Sequence, residues 1–203
     1  MGGARRGSSR PSTESGRGQV GTTATRGAPI ARLSRARQNH LGRETSGDSA
    51  ERDRLRGPRG TVIYLDTGCL LKLYYPEPES SKVAEISRGQ PIAFLSLHEL
   101  ELWNALELKV FRKEARPAQV RAVQALVADD LRSGTLHRPV LPWDDVWQES
   151  KALAQRHTRK FGCRSLDILH CSAARRLSVA SFVTTDARQR RLAAAVGLTC
   201  PAV

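Results

Sequence analysis

Thr61-Val-Ile-Tyr-Leu-Asp66-Thr-Gly-Cys-Leu-Leu71 is the stretch on which the reading of the fold turns. Its first five residues are β-branched, aromatic or aliphatic and read as a short buried strand. The strand stops at Asp66. Thr67 and Gly68 then lead into Leu70, Leu71, Leu73 and Tyr74, an apolar pattern at helical spacing. Open α/β sheets place their ligands just past the carboxyl ends of parallel strands, so the carboxylate at 66 is a candidate functional group.

The same alternation continues outward. Pro76-Glu77-Pro78 ends the first helix, because proline disfavours a helical residue before it. Ser80 to Arg88 reads as a short amphipathic helix and Pro91 to Leu95 as a second buried strand. Leu97 to Glu114 and Pro117 to Leu131 follow as helices, then His137 to Leu141 as a strand. Helices are expected from Pro142 to Lys160, from Ser165 to Leu177 and from Ala187 to Val196, with strands at Ala180 to Thr184 and Leu198 to Ala202. Short buried strands alternating with helices predict an α/β domain, a mainly parallel sheet of about five strands between helical layers.

The charge is unevenly placed. Of the net +13, residues 1–60 contribute +8 from thirteen Arg and five acids, and the remainder carries +5. Residues 1–58 are rich in Gly, Ser, Thr and Arg and hold too little apolar surface to offset the entropy of ordering, so a disordered tail is expected there, with the folded domain at 59–203. Three explanations compete for that tail: an arginine arm for nucleic acid, a targeting presequence, or a mis-assigned start with the true beginning near Arg59. The scattered acids weigh against the second, and the third is favoured.

Cys69, Cys163, Cys171 and Cys200 show no C-x-x-C spacing and no paired His cluster, which argues against a zinc site and a disulfide framework. No apolar run approaches the ~18 residues of a membrane helix, and no secretory h-region is visible. A cytoplasmic protein with no membrane partner is expected.

Four acids stand where a strand ends or a helix begins: Asp66, Glu101, Asp167 and Asp186. Carboxylates crowded at one sheet edge repel unless a cation sits between them. Oxygen ligands without Cys or clustered His suit Mg²⁺ or Mn²⁺, which can activate water and stabilise both oxygens of a phosphodiester displacement. Each acid also has a plainer reading. Asp66 and Asp186 can cap the helices they precede, Asp167 suits a first helical turn, and Glu101 can be a solvated helix residue. Glu99 competes with Glu101, but on a helix the two point about 200° apart, so only one can face a site. His170 is expected as a packed or partly exposed helix residue rather than a group orienting a carboxylate. Core or interface packing is expected for Trp103, Trp143 and Trp147.

Tyr-Leu-Asp66-Thr-Gly-Cys-Leu-Leu-Lys-Leu-Tyr-Tyr-Pro-Glu-Pro resembles the opening motif of PIN domains, especially VapC-type toxins. Leu-Ser-Leu-His-Glu-Leu-Glu101-Leu-Trp-Asn-Ala-Leu is similar to their second motif, Ser-Leu-Asp167-Ile-Leu-His170-Cys-Ser-Ala-Ala to the third, and Phe-Val-Thr-Thr-Asp186-Ala-Arg-Gln-Arg-Arg-Leu to the fourth. The four occur in the family's order from about Val62 onward, with Gly68 where the family commonly has Ser. The resemblance implies a three-layer α/β/α PIN-like domain and a Mg²⁺- or Mn²⁺-dependent endoribonuclease, the toxin of a type II toxin–antitoxin pair. It makes Asp66, Glu101, Asp167 and Asp186 the catalytic and metal-binding acids, and favours Glu101 over Glu99 by its offset to Ala105-Leu106. The implied partners are RNA, a cognate antitoxin and a second copy of the chain. Two alternatives use the same fold: a catalytically silent RNA-binding or interaction module, and a housekeeping RNA-processing nuclease. An aspartate-nucleophile phosphatase would need an acid where Gly68 stands.

Overall fold

The structure, a computed structural model, describes residues 62–203; the tail expected at residues 1–58 lies outside them. The elements in chain order are β1 (Ile63–Leu65), α1 (Thr67–Tyr74), α2 (Ser80–Ser87), β2 (Ile92–Ala93), α3 (Ser96–Phe111), α4 (Pro117–Arg132), β3 (Leu136–His137), α5 (Trp143–Phe161), α6 (Ser165–Leu177), β4 (Ser181–Val183) and α7 (Ala187–Ala195). The strands form one sheet in the order β3-β2-β1-β4, with every neighbouring pair parallel. Ile63 pairs with Ile92 on one side and Ser181 on the other.

Alternation along β1 divides the interior in two. Ile63 and Leu65 join Ile92, Phe94 and Val183 under α1 to α4, in a core that includes Leu70, Leu102, Leu106 and Val123. Tyr64 points the other way and joins Ala93, Leu95 and Phe182 under α5 to α7, with Val146, Ile168 and Leu192. A strand presents successive side chains to opposite faces, so three residues suffice to serve both helical layers. The result is the three-layer α/β/α domain expected from the sequence. Leu102 is fully buried in the first core, and its truncation to Ala is expected to cost about 2–5 kcal/mol.

The sheet has four strands among the described residues, not five. The segment 198–202 runs beside β4, but a single backbone bond joins them, from Phe182 N–H to the Thr199 carbonyl at 2.8 Å. Pro201 has no N–H to extend a ladder, and the Arg190 guanidinium takes its carbonyl at 2.8 Å. The third strand is likewise shorter than the expected 137–141. Pairing closes at Leu136–His137, because Pro139 and Pro142 interrupt the run that follows. The helices fall within a few residues of their expected bounds. Gly162 ends α5 at φ +67°, a left-handed conformation that glycine adopts without steric cost.

Candidate active site

Asp66 leaves β1 and caps α1. Its Oδ1 accepts the Cys69 N–H at 2.6 Å, satisfying one of the helix's free amides. Its Oδ2 accepts the Thr184 hydroxyl at 2.5 Å. Thr184 is fully buried after β4; its Oγ1 also receives the Asp186 N–H at 3.0 Å and lies 2.8 Å from Gln189 Oε1. Asp186 caps α7 through Oδ1, which accepts the N–H groups of Arg188 at 2.7 Å and Gln189 at 3.0 Å. Burial raises the Asp186 carboxyl, but those two N–H bonds, together with the Arg188 and Arg164 charges, outweigh it and hold it below the ordinary 3.8. Asp167 sits in the first turn of α6 and takes the Arg164 N–H on Oδ2 at 2.8 Å. The Gln189 side-chain amide donates to the Asp167 carbonyl at 3.4 Å, tying α6 to α7. Asp66 and Asp186 therefore cap their helices and Asp167 is a first-turn acid, as their plainer readings have it, while Thr184 ties Asp66 to the Asp186 backbone and Gln189 ties α7 to the Asp167 carbonyl.

Glu101 reaches that edge from the second turn of α3. Its Oε2 accepts the Thr67 hydroxyl at 2.6 Å and lies 2.6 Å from His170 Nε2. Burial raises its carboxyl, while the hydrogen bond and charge of His170 and the Thr67 hydroxyl outweigh that and hold it below the usual 4.5. Glu99 turns away, paired with Arg138 at 2.9 Å in an exposed ion pair.

The orientation of α3 is fixed one turn earlier by His98, which is fully buried. Its Nδ1 accepts the Leu95 N–H at 2.9 Å and its Nε2 lies 2.9 Å from the Leu65 carbonyl. A ring nitrogen that accepts an N–H bears no proton, so Nε2–H is the donor to Leu65 and the ring is neutral. Burial, then the neighbouring His170, push the His98 imidazole well below 6.5, against the pull of the Leu65 carbonyl. His98 thus ties the start of α3 to the end of β1, three residues before Glu101 on the same helix face.

Several of these groups were not singled out from sequence. Thr67 follows Asp66 directly, and His98 precedes Glu101 by one turn; both spacings are visible in the sequence, but their partners come from other elements. The expectation for His170 needs amending. It is packed, only 3 % exposed, and it also meets Glu101. Its Nδ1 lies 2.8 Å from the Tyr64 hydroxyl. Burial first, then proximity to Cys171, Glu101 and Asp66, drive the Tyr64 phenol well above 10, so the hydroxyl keeps its proton. Of the tryptophans, Trp103 and Trp143 pack against the two cores, while Trp147 is 53 % exposed.

Cysteine chemistry has no foothold here. The four thiols are free, and burial is the first cause raising each above its ordinary value, which suppresses the nucleophilic thiolate. The acids are the reactive inventory. Their all-oxygen chemistry fits a hard divalent cation, and Glu101 Oε1 and Asp167 Oδ1 have no hydrogen-bond partner among the described residues. Among those residues, however, no three His, Cys, Asp or Glu side chains converge closely enough to hold a metal ion. The carboxylates are turned instead toward Thr67, Thr184 and the helix N–H groups.

The sequence model of the PIN domain matches residues 63–195, well over half of the chain. Among solved structures, a chain from the crystal structure of FitAcB from Neisseria gonorrhoeae is similar at 15% identity and a TM-score of 0.49, over 68% of this chain and 95% of that one. No curated protein sequence gives a match. No helix of the described residues is long and apolar enough to cross a membrane.

Proposed function

The chain belongs to the PIN-domain family, whose members are generally nucleases, and on that premise we propose that it is a Mg²⁺- or Mn²⁺-dependent endoribonuclease, the toxin of a type II toxin–antitoxin pair. The observation that carries this reading is the linkage of the acids at one sheet edge. Asp66 and Asp186 share the Thr184 hydroxyl, Gln189 joins Asp186's helix to Asp167, and Glu101 is tied to Thr67, the neighbour of Asp66. These bonds support the reading by tying the Asp66 and Glu101 side chains, and the backbones of Asp186 and Asp167, to neighbouring residues at that edge.

Asp66, Glu101, Asp167 and Asp186 are the residues that would hold the divalent ion. When bound, such an ion supplies charge neutralisation at the scissile phosphate and a lowered pKa for water. The chain's own groups do the rest. The helix N–H groups and the Thr184 hydroxyl fix the Asp66 and Asp186 carboxylates before substrate arrives, so little reorganisation is needed at the moment of reaction. Arg188 reaches Asp186 at 3.6 Å and can turn to a phosphate oxygen. Arg112, Lys113 and Arg116, exposed beyond the end of α3, offer sequence-independent contacts to an RNA backbone.

The partners in this reading are an RNA substrate, a cognate antitoxin whose segment covers the acidic edge, and a second copy of the chain, with a cytoplasmic location. The test is cleavage of structured RNA by the purified protein in Mg²⁺ or Mn²⁺, with and without EDTA. Metal-dependent fragments with internal ends support the reading, and intact RNA under all conditions contradicts it. The toxin role is tested separately, by whether induction arrests growth and a short neighbouring reading frame relieves the arrest. Cleavage without arrest leaves a housekeeping nuclease. One observation favours the silent-module alternative: the carboxylates do not converge on a metal-holding group among the described residues.

A further inference from the structure

The arginines around α6 and α7 divide by what holds them. Arg190 turns inward, its guanidinium donating to the Thr184 carbonyl at 2.6 Å and to the Pro201 carbonyl at 2.8 Å. Arg175 and Arg176, in the last turn of α6, pair with Glu149 on α5. Arg164, Arg188 and Arg191 have no such task. Arg164, just before α6, and Arg191, on α7, are both exposed. The one ion pair that any of the three makes among the described residues is Arg188 to Asp186, at 3.6 Å.

The fold brings these three together. Gly162 turns the chain out of α5, and Cys163 then docks on α7, its thiol donating to the Arg188 carbonyl at 3.4 Å. Arg164 is the next residue, so it stands beside the first turn of α7. Arg188 and Arg191 are three apart on that helix and share a face. The charges of Arg188 and Arg164 both bear on the Asp186 carboxyl, and those of Arg188 and Arg191 on the Cys163 thiol. Like charges gathered on one surface repel, and Asp186 already spends one carboxylate oxygen on helix amides. A ligand with several negative charges relieves that repulsion. The flat guanidinium fork matches phosphate oxygens two at a time.

We propose that Arg164, Arg188 and Arg191 form a binding surface for the backbone phosphates of a single-stranded RNA, beside the Asp186 corner of the candidate active site. The inference rests on RNA being the substrate, as in the reading above, and names the surface the strand runs along. It needs no bound ion. Contacts of this kind fix the register of a strand and carry no base preference.

The test is binding of a fluorescein-labelled single-stranded RNA of mixed sequence to the full chain in EDTA, read by fluorescence anisotropy at a series of salt concentrations. Each contacted phosphate contributes about 0.7 to the slope of log K against log salt. Arg164→Ala and Arg191→Ala are each expected to lower the slope by about 0.7, and the double variant by about 1.4. Both side chains are exposed, so their truncation is expected to leave folding intact. Lysine at the two positions keeps the charge and is expected to recover the slope. Arg121→Ala removes an equal charge from an exposed position on α4, in the other helical layer, and is expected to leave the slope unchanged. A slope unaltered in the double variant, or lowered as much by Arg121→Ala, overturns the proposal; metal-dependent cleavage by the wild type then leaves the ribonuclease reading standing. No RNA binding by the wild type also overturns the proposal, and the cleavage assay then decides the ribonuclease reading by itself. Tighter binding of a poly-glutamate peptide than of the RNA, lost in the double variant, would assign the surface to an acidic protein segment and overturn the RNA assignment.

Discussion

Thr184 donates its hydroxyl to Asp66 Oδ2 at 2.5 Å, joining the loop after β4 to the residue that ends β1. The bond is fully buried on the threonine side, and Thr184 Oγ1 also receives the Asp186 N–H. Thr184→Val keeps the shape and leaves a buried carboxylate oxygen and an amide short of a partner. Hydrogen bonds to charged groups contribute about 1.5–3 kcal/mol, so a loss of stability in that range is expected by denaturant titration. RNA cleavage is expected to fall with it, because Asp66 and Asp186 lose their common anchor.

Glu99 and Glu101 are separable by experiment. Glu99→Gln removes only an exposed ion pair with Arg138, for which about 0.2–1 kcal/mol is typical, and cleavage is expected to stay at the wild-type level. Glu101→Gln removes the carboxylate held by Thr67 and His170, and cleavage is expected to fall by about 100-fold or more, the scale of losing a charge-stabilising group. Equal losses in the two variants would mean that the second acid has been misassigned.

Position 68 departs from the serine common in the family, and the structure leaves room for a side chain there. A Cβ at Gly68 would lie 3.5 Å from Asp66 Oδ1, an ordinary contact. Glycine in a helix is about 0.5 kcal/mol less favourable than serine. Gly68→Ser is therefore expected to raise stability by about that amount and to retain cleavage. A folded but inactive variant would show that the space at position 68 is needed for the reaction.

Acid sensitivity follows from the buried imidazole of His98. Its folded pKa is lowered well below 6.5, so below that pH the unfolded chain binds a proton that the folded chain refuses. Stability therefore falls as pH drops from 6.5 toward the folded value, by about 1.4 kcal/mol per pH unit from this group. Glu101 adds a second loss at lower pH. Its folded pKa lies below 4.5, so its contribution is present above that value and disappears as pH falls through the folded one. Urea titrations from pH 7 to pH 4 are expected to show the His98 slope. It should flatten in His98→Gln, whose side-chain amide does not titrate, once that variant's lower baseline is subtracted.

Much of the fold was legible because it depends on local signals. The run Val62 to Leu65 before Asp66, the prolines at 76 and 78 and the glycine at 162 mark element ends through backbone chemistry that acts within a few residues. What was not legible depends on residues distant in sequence. The extent of a strand is set by what pairs with it. Leu198 to Ala202 has strand composition yet makes one bond to β4, and the run from His137 is cut short at its prolines. Asp66, Asp167 and Asp186 could be picked out because each sits beside an element boundary, whereas Glu101, in the second turn of α3, was picked out by its motif. Thr67 on Glu101, His98 between Leu65 and Leu95, and Tyr64 behind His170 could not, because each bond joins elements that only the folded sheet brings together.

The central claim is that Asp66 serves a reaction and not only a helix, and Asp66→Asn separates the two roles. Asparagine caps a helix about as well as aspartate, so the Cys69 N–H keeps an acceptor and the variant is expected to stay folded. It loses the negative charge a hard cation needs. The deciding measurement is Mn²⁺-dependent cleavage of structured RNA by the wild type and by Asp66→Asn, with thermal unfolding of both proteins. The expected result is cleavage by the wild type, abolished by EDTA, and a drop of about 100-fold or more in the variant, with a loss of stability no larger than the ~1.5–3 kcal/mol of the charge-assisted Thr184 bond. Equal cleavage by the two proteins, or none by either, would contradict the account.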